Sequence, residues 1–288
     1  MILIVTMSLA LFSNLVLNSS VVYALIKTKQ LNNISMKLIL CLSVSDVLLA
    51  VLGQSLFVLM LSTSSWDVSN CSIDTAVEFL VLFFVHTSAY IILLIGYDRY
   101  YRIRYLNRYS QVVKHCYLQT ALMVAVLLSV LEVSMQVVGI QYHFWDVSSV
   151  IALGIDGCII AVMLLPYALT MFTMKQRVRK SSDRSILETV DNVVSTMTSR
   201  ILVAILVTYL PYVIFSVVRT VGGSIVNREW FNVCLFFSYV VACSNSSLNA
   251  IIFISLNGKT RRTLFGCFTK GSGRMSEVEM AVVCPIDI

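Results

Sequence analysis

Asp46 is the residue in this sequence that most needs a chemical reason. It stands in Leu42-Ser43-Val44-Ser45-Asp46-Val47-Leu48, deep in an apolar block spanning residues 38–62. A carboxylate in hydrocarbon needs a proton, a cation or a basic partner. No Lys or Arg lies in an apolar block at its depth. A small hard cation held by oxygen ligands is therefore a sensible partner. Asn18, Ser88, Asn245, Ser246 and Asn249 interrupt other apolar blocks. Alone, such side chains act as hydrogen-bonding glue between helices; beside Asp46 they form a polar heart. Asp98-Arg99-Tyr100 is a second constellation, an acid and a guanidinium side by side where an apolar block ends. Its plainest reading is an interfacial ion pair, worth little where exposed. No nucleophile–base pair or metal triad emerges from the sequence. His86, His115 and His143 are scattered, and His86 is expected to line a pocket or to be satisfied in the core. The chain is expected to be no enzyme and to need no organic cofactor.

These residues need a scaffold suited to lipid. Of 288 residues, 58% are hydrophobic and 12% charged, with a mean hydropathy of +0.86. Soluble domains are about half apolar and about a quarter charged, so lipid is the expected solvent. A span takes about 20 mostly apolar residues. Seven blocks qualify: 2–26, 38–62, 75–98, 117–139, 150–174, 201–221 and 231–256. Such blocks must be helices, because an open strand leaves backbone groups unpaired in lipid. No alternation points to a β-barrel, and no internal repeat points to a transporter built from repeats. Residues 1–26 lack a basic leader and exceed the apolar core of a signal peptide, so they are expected to stay as the first span. The tail ahead of that span is nearly absent, as it would be in a piece of a longer chain. The expected fold class is an all-α membrane protein, a seven-transmembrane helix bundle within residues 1–268. Residues 269–288 are a short mixed tail, expected to be cytoplasmic and disordered.

Charge sets the orientation. Of the 21 Lys and Arg, only Arg219 and Arg228 fall on one side of the spans. The rest flank the first turn, the end of span three, the connection between spans five and six, and the end of span seven. Basic residues stay cytoplasmic, so the N-terminus is expected outside and the C-terminus inside, at the plasma membrane. The net charge of +6 is then an orientation signal, with no nucleic-acid partner implied. The eight cysteines form no zinc-type pairs. Asn70-Cys71-Ser72 is a glycosylation sequon on the outer side. Cys158 and Cys234 could each pair with Cys71, and the sequence leaves the choice open.

At this point the chain resembles the rhodopsin-like family of G-protein-coupled receptors. Asn18-Ser19-Ser20-Val21 resembles that family's helix-one motif, and Leu42 to Leu48 its helix-two motif. Asp98-Arg99-Tyr100 is similar to the end of its helix three. Asn245-Ser246-Ser247-Leu248-Asn249-Ala250-Ile251-Ile252-Phe253 is similar to its helix-seven motif. The ordered set covers residues 14–268. The resemblance implies a receptor that passes an extracellular signal to a heterotrimeric G protein. It also implies an allosteric sodium ion among Asp46, Ser88, Asn245, Ser246 and Asn249. Arg99 would pair at rest with Asp98 and with an acid on helix six, the place of Asp191. Pro166 and Pro211 would bend spans five and six, and release of Arg99 would let helix six swing out. Lys259 to Phe265 would form a short eighth helix within 258–268 on the inner leaflet, with Cys267 a palmitoylation site. Tyr209 stands where the family has its toggle Trp, Met174 where it has a helix-five Tyr, Val126 where it has a helix-four Trp, Ala250 for a Pro and Phe253 for the final Tyr.

The ligand side resembles no single group. An amine receptor carries an Asp at the place of Val81, and an opsin a Lys at the place of Cys243. Neither a typical amine nor retinal is therefore expected. The loop Gln141 to Asp146 is short and lacks Cys, and Asp74 and Glu78 lie one turn apart. These features are similar to melanocortin receptors, in which acids there hold calcium. Against that, Leu56 occupies the place of their third acid, and Pro166 is present where they lack it. The plainer reading of Asp74 and Glu78 is a solvated rim. Candidates for the ligand pocket are Asp74, Glu78, Val81 and Tyr209. The ligand, whether small molecule, lipid or peptide, stays unnamed. The competing expectations are a non-coupling decoy receptor and a small transporter.

Overall fold

A computed structural model describes residues 2–63, 71–105, 108–113, 115–141, 154, 157–158, 161–162, 164–173, 175–176, 200–201, 203–215, 217–218 and 229–266. Helix α1 covers Ile2–Lys27. Lys29, at a left-handed φ of 51°, turns the chain into a 3-10 turn at Gln30–Asn32. Asn33 then caps α2 (Ile34–Leu48), its side chain accepting from Ser35 N at 3.0 Å. The second span continues through a π-helical stretch, Leu49–Gln54, into α3 (Ser55–Thr63). Helix α4 runs Cys71–Tyr105, followed by the short α5 (Tyr109–Val112) and by α6 (His115–Gln141). Apolar helices α7 (Leu164–Thr173) and α8 (Val203–Phe215) lie inside the fifth and sixth blocks. Helix α9 covers Glu229–Leu256 and α10 covers Gly258–Phe265. No strand occurs among the described residues. Among the described residues, five helical runs are long and apolar enough to cross a membrane, and α7 and α8 are shorter.

Helices outlast the apolar blocks because backbone pairing continues into water until a cap stops it. Thus α4 continues past Asp98 through Arg99, Arg102 and Arg104 to Tyr105. Asn257 caps α10 by accepting from Thr260 N at 3.1 Å, and its Nδ2 donates to Gln30 Oε1 at 3.1 Å. That bond ties the start of α10 to the turn after α1.

Among the described residues, the core has two apolar clusters. One holds Val21, Leu25, Ile39, Leu42, Ile92, Ile95, Ala250 and Ile254. The other holds Met7, Ala10, Leu49, Phe57, Val81, Phe84, Val240 and Cys243. On α1, the second span, α4 and α9, the polar residues Asn14, Asn18, Asp46, Ser88, Asn245 and Ser246 fall in sequence between members of the two clusters. All six are buried. The polar heart is therefore a layer crossing the bundle.

Two glycines permit close helix approach. A Cβ on Gly53, in the π-helical stretch, would sit 3.1 Å from Val81 Cγ2. A Cβ on Gly96 of α4 would sit 2.9 Å from Pro166 Cγ of α7. Pro166 thus packs its ring on the one residue type that leaves room for it.

Candidate functional site

Asp46 is the centre of the polar layer and has no exposed surface. Its Oδ1 accepts from Ser88 Oγ at 2.7 Å and from Ser246 Oγ at 2.9 Å. One carboxylate oxygen thereby joins α2, α4 and α9. Its Oδ2 is buried with no hydrogen-bond partner among the described residues. A bare carboxylate oxygen in this setting is costly. Each Ser hydroxyl spends its proton on Oδ1 and keeps its lone pairs. An oxygen-lined place with one unmatched anionic oxygen fits a small hard cation.

The other expected members divide. Asn245 Oδ1 accepts from Thr208 Oγ1 of α8 at 3.3 Å, so α8 joins the layer. Asn249 lines a cavity and leaves Nδ2 without a hydrogen-bond partner among the described residues. Asn18 donates from Nδ2 to Asn14 Oδ1 at 2.6 Å and to the carbonyl of Ser246 at 3.3 Å. Asn14 in turn donates to the Asp46 carbonyl at 3.1 Å and to Gln54 Oε1 at 3.3 Å. Asn14 and Gln54 extend the layer and were absent from the sequence expectation. Asn14 was findable, since it lies one helical turn before Asn18 on the same face.

Asp98 is buried, and donors from three places hold its carboxylate. Ser35 Oγ of α2 and Arg102 Nε (3.2 Å) donate to Oδ2, and the Tyr109 hydroxyl of α5 donates to Oδ1. Arg102 also donates to the Asn33 side chain, and its guanidinium lies 4.3 Å from the Tyr109 ring centre. Burial first, and then the Asp98 carboxylate, push the Tyr109 phenol above its ordinary pKa, so it stays a donor. The resemblance assigned Asp98 to Arg99 at rest. The structure adds a second arginine, Arg102, one turn further on. The i,i+4 spacing of Asp98 and Arg102 was the available signal.

Arg99 lines the cavity with Asn18, Tyr167, Ile201, Asn249 and Phe253. The Tyr167 hydroxyl donates to the Ile92 carbonyl at 3.3 Å. Tyr100 neighbours Tyr101, with ring centres 5.6 Å apart. Tyr209 packs against both apolar clusters, and Pro211 lies within α8. Val81 is wholly buried in the second cluster.

Asn70, Met174, Asp191 and Cys267 lie outside the described residues. Asp74 and Glu78 lie on α4, and their side chains are outside what is described. Cys158 and Cys234 are both free thiols.

One more buried group was passed over. Glu132 on α6 is only 4% exposed. Its Oε2 accepts from the Tyr90 hydroxyl at 3.2 Å and lies 3.1 Å from His86 Nδ1. It is an acid inside an apolar block, so the test that singled out Asp46 applied to it equally.

A family model described as "7 transmembrane receptor (rhodopsin family)" matches residues 17–253. The matched range contains Asn18, Asp46, Ser88, Asn245, Ser246 and Asn249 of the polar layer, Asp98-Arg99-Tyr100 and the residues that line the cavity. No curated protein matches the chain.

Proposed function

The chain belongs to the rhodopsin family of seven-transmembrane receptors, and from that membership we propose that it carries an extracellular ligand signal to an intracellular heterotrimeric G protein. It is a multi-pass membrane protein of receptor type. The observation that carries the proposal is the polar layer centred on Asp46, which hydrogen bonds link to α1, α2, α4 and α9, beside the cavity that Arg99 lines. A buried polar network with alternative pairings has discrete arrangements, and a ligand shifts their populations.

The ligand acts at the Cys71 end of α4, and the G protein at the Arg99 end. The concentration of Lys and Arg at the Arg99 end supports that end being cytoplasmic. Ser35, Arg102 and Tyr109 fix Asp98 from α2, α4 and α5, which holds the inner end of α4 in place. Arg99 faces Tyr167 and Asn249 across the cavity wall, where outward movement of α8 would open room for a G-protein segment. Asp46 Oδ2, with Ser88, Ser246 and Asn245 as neutral oxygen donors, would hold an allosteric sodium ion. Such an ion, when bound, supplies the positive charge that the buried carboxylate lacks.

A ligand screen in cells expressing a promiscuous G protein tests the reading. Ligand-dependent signalling that disappears in Arg99→Ala, at equal surface expression, is the expected result. Signalling untouched by Arg99→Ala overturns the role of that residue. Binding without any G-protein response would favour a non-coupling receptor, and substrate flux would favour a transporter.

A further inference from the structure

The Glu132 site has the features of a ligand anchor. Two oxygens of one buried carboxylate are treated differently. Oε2 meets Tyr90 and His86, whereas Oε1 is buried with no hydrogen-bond partner among the described residues. That oxygen calls for a donor, and charge-assisted donors bind carboxylates best. The residues of α4 around it continue the pattern. Phe79, Phe83, His86 and Tyr90 are spaced by four, three and four, so they share one helix face. The Phe79 and Phe83 rings stack with centres 6.4 Å apart and planes 6° from parallel. An aromatic wall leading to a buried carboxylate is suited to an organic cation, whose charge is attracted to both ring faces and acid. Phe79 and Phe83 lie toward the Cys71 end of α4, away from Arg99. Val81, the place of the acid in amine receptors, is sealed in the apolar core and offers nothing polar.

We propose that Glu132, supported by His86 and Tyr90 and walled by Phe79 and Phe83, is the anchor for a ligand of the aryl-ammonium class. The inference rests on the receptor reading above and supplies the ligand chemistry that reading lacks. Glu132 Oε1 accepts from the ammonium. The Tyr90 hydroxyl holds Oε2, with His86 Nδ1 3.1 Å from it, so that the carboxylate keeps its orientation. The aromatic body of the ligand lies along Phe83 and Phe79.

The test uses the purified full chain in nanodiscs and reads thermal stability, which requires no G protein. The probes are 2-phenylethylammonium, its neutral counterpart 2-phenylethanol, and 3-phenylpropionate, each titrated to millimolar concentration. The expected result is a saturable rise in melting temperature with the ammonium alone. Glu132→Gln keeps the side chain's shape and should weaken that response by about thirtyfold or more, as loss of a buried charge partner does. Where Glu132→Gln fails to fold, Phe83→Leu carries the test and should weaken the ammonium by a few-fold. No shift with the ammonium, an equal shift with 2-phenylethanol, or a shift unchanged in both variants overturns the proposal. Binding without G-protein activation would leave the anchor standing and count against coupling. Basal coupling without ammonium binding would do the reverse.

Discussion

Removing a single hydroxyl at Tyr109 should measurably loosen the bundle at the Arg99 end of α4. The Tyr109 hydroxyl donates to Asp98 Oδ1, and the Asp98 side chain is 4% exposed. Tyr109→Phe keeps the ring, and with it the guanidinium of Arg102 stacked 4.3 Å from its centre. What is lost is one hydrogen bond to a charged acceptor, worth about 1.5–3 kcal/mol. Tyr109 is only part-buried, which favours the lower end of that range, about 1.5 kcal/mol. The assay is thermal unfolding of the purified chain, Tyr109→Phe against the parent, with Tyr109→Ala as the larger step. Alanine also removes the stacking on Arg102, worth about 0.5–1 kcal/mol more at a surface site. The pH dependence has a definite sign. The phenol's pKa in the folded chain is raised above its unfolded value. Its stabilising contribution is therefore fully present below the unfolded pKa of about 10, and is lost as pH rises beyond that value toward the folded one. The parent and Tyr109→Phe should differ by a constant amount from neutral pH to about pH 9. Identical melting of the two proteins would refute the assignment of Asp98 to Tyr109.

Three further outcomes follow from the packing and the polar layer. Sodium should raise the melting temperature of the parent relative to an equal concentration of choline, and Asp46→Asn should abolish that difference; a sodium effect that survives Asp46→Asn removes the ion from Asp46. Gly96→Ala should destabilise by about 1–3 kcal/mol through overpacking, because its Cβ would fall 2.9 Å from Pro166 Cγ; Pro166→Ala in the same chain should recover part of the loss, and no recovery would mean the contact is not the cause. Asn14→Ala should cost about 1–3 kcal/mol by stripping partners from buried polar atoms, read by the same unfolding assay, and a neutral result would show that water replaces Asn14 between Gln54 and Asn18.

Hydropathy made the helical character of the chain legible, because lipid forces backbone pairing inside each segment. It marked helix ends less well. The apolar block at 75–98 ends at Asp98, while α4 continues to Tyr105 through three arginines. The π-helical stretch at Leu49–Gln54 had no counterpart in the expectation, since hydropathy does not distinguish one helical hydrogen-bond pattern from another. Asp46, Ser88 and Ser246 could be gathered from sequence because each is polar in an apolar setting and each stands at a place of the family's sodium set. The bond that Asn245 Oδ1 accepts from Thr208 on another helix was not legible, since no spacing in the sequence joins the two residues. The hold on Asp98 was less accessible still. It depends on Tyr109 of α5 lying beside α4 and on Ser35 arriving from α2, and neither contact leaves a periodic trace. Glu132 was visible in the sequence and needed only the test that had been applied to Asp46.

Nucleotide exchange is the most direct measure of the central claim. The purified receptor is reconstituted in nanodiscs with heterotrimeric G proteins, and guanine-nucleotide loading is followed for the parent chain and for Arg99→Ala. The account predicts that the parent accelerates loading of at least one G-protein class, basally or with ligand. It also predicts that Arg99→Ala, with unchanged melting temperature, loses that acceleration. Equal loading by the two proteins, or none by the parent with any class while its ligand is bound, would contradict it.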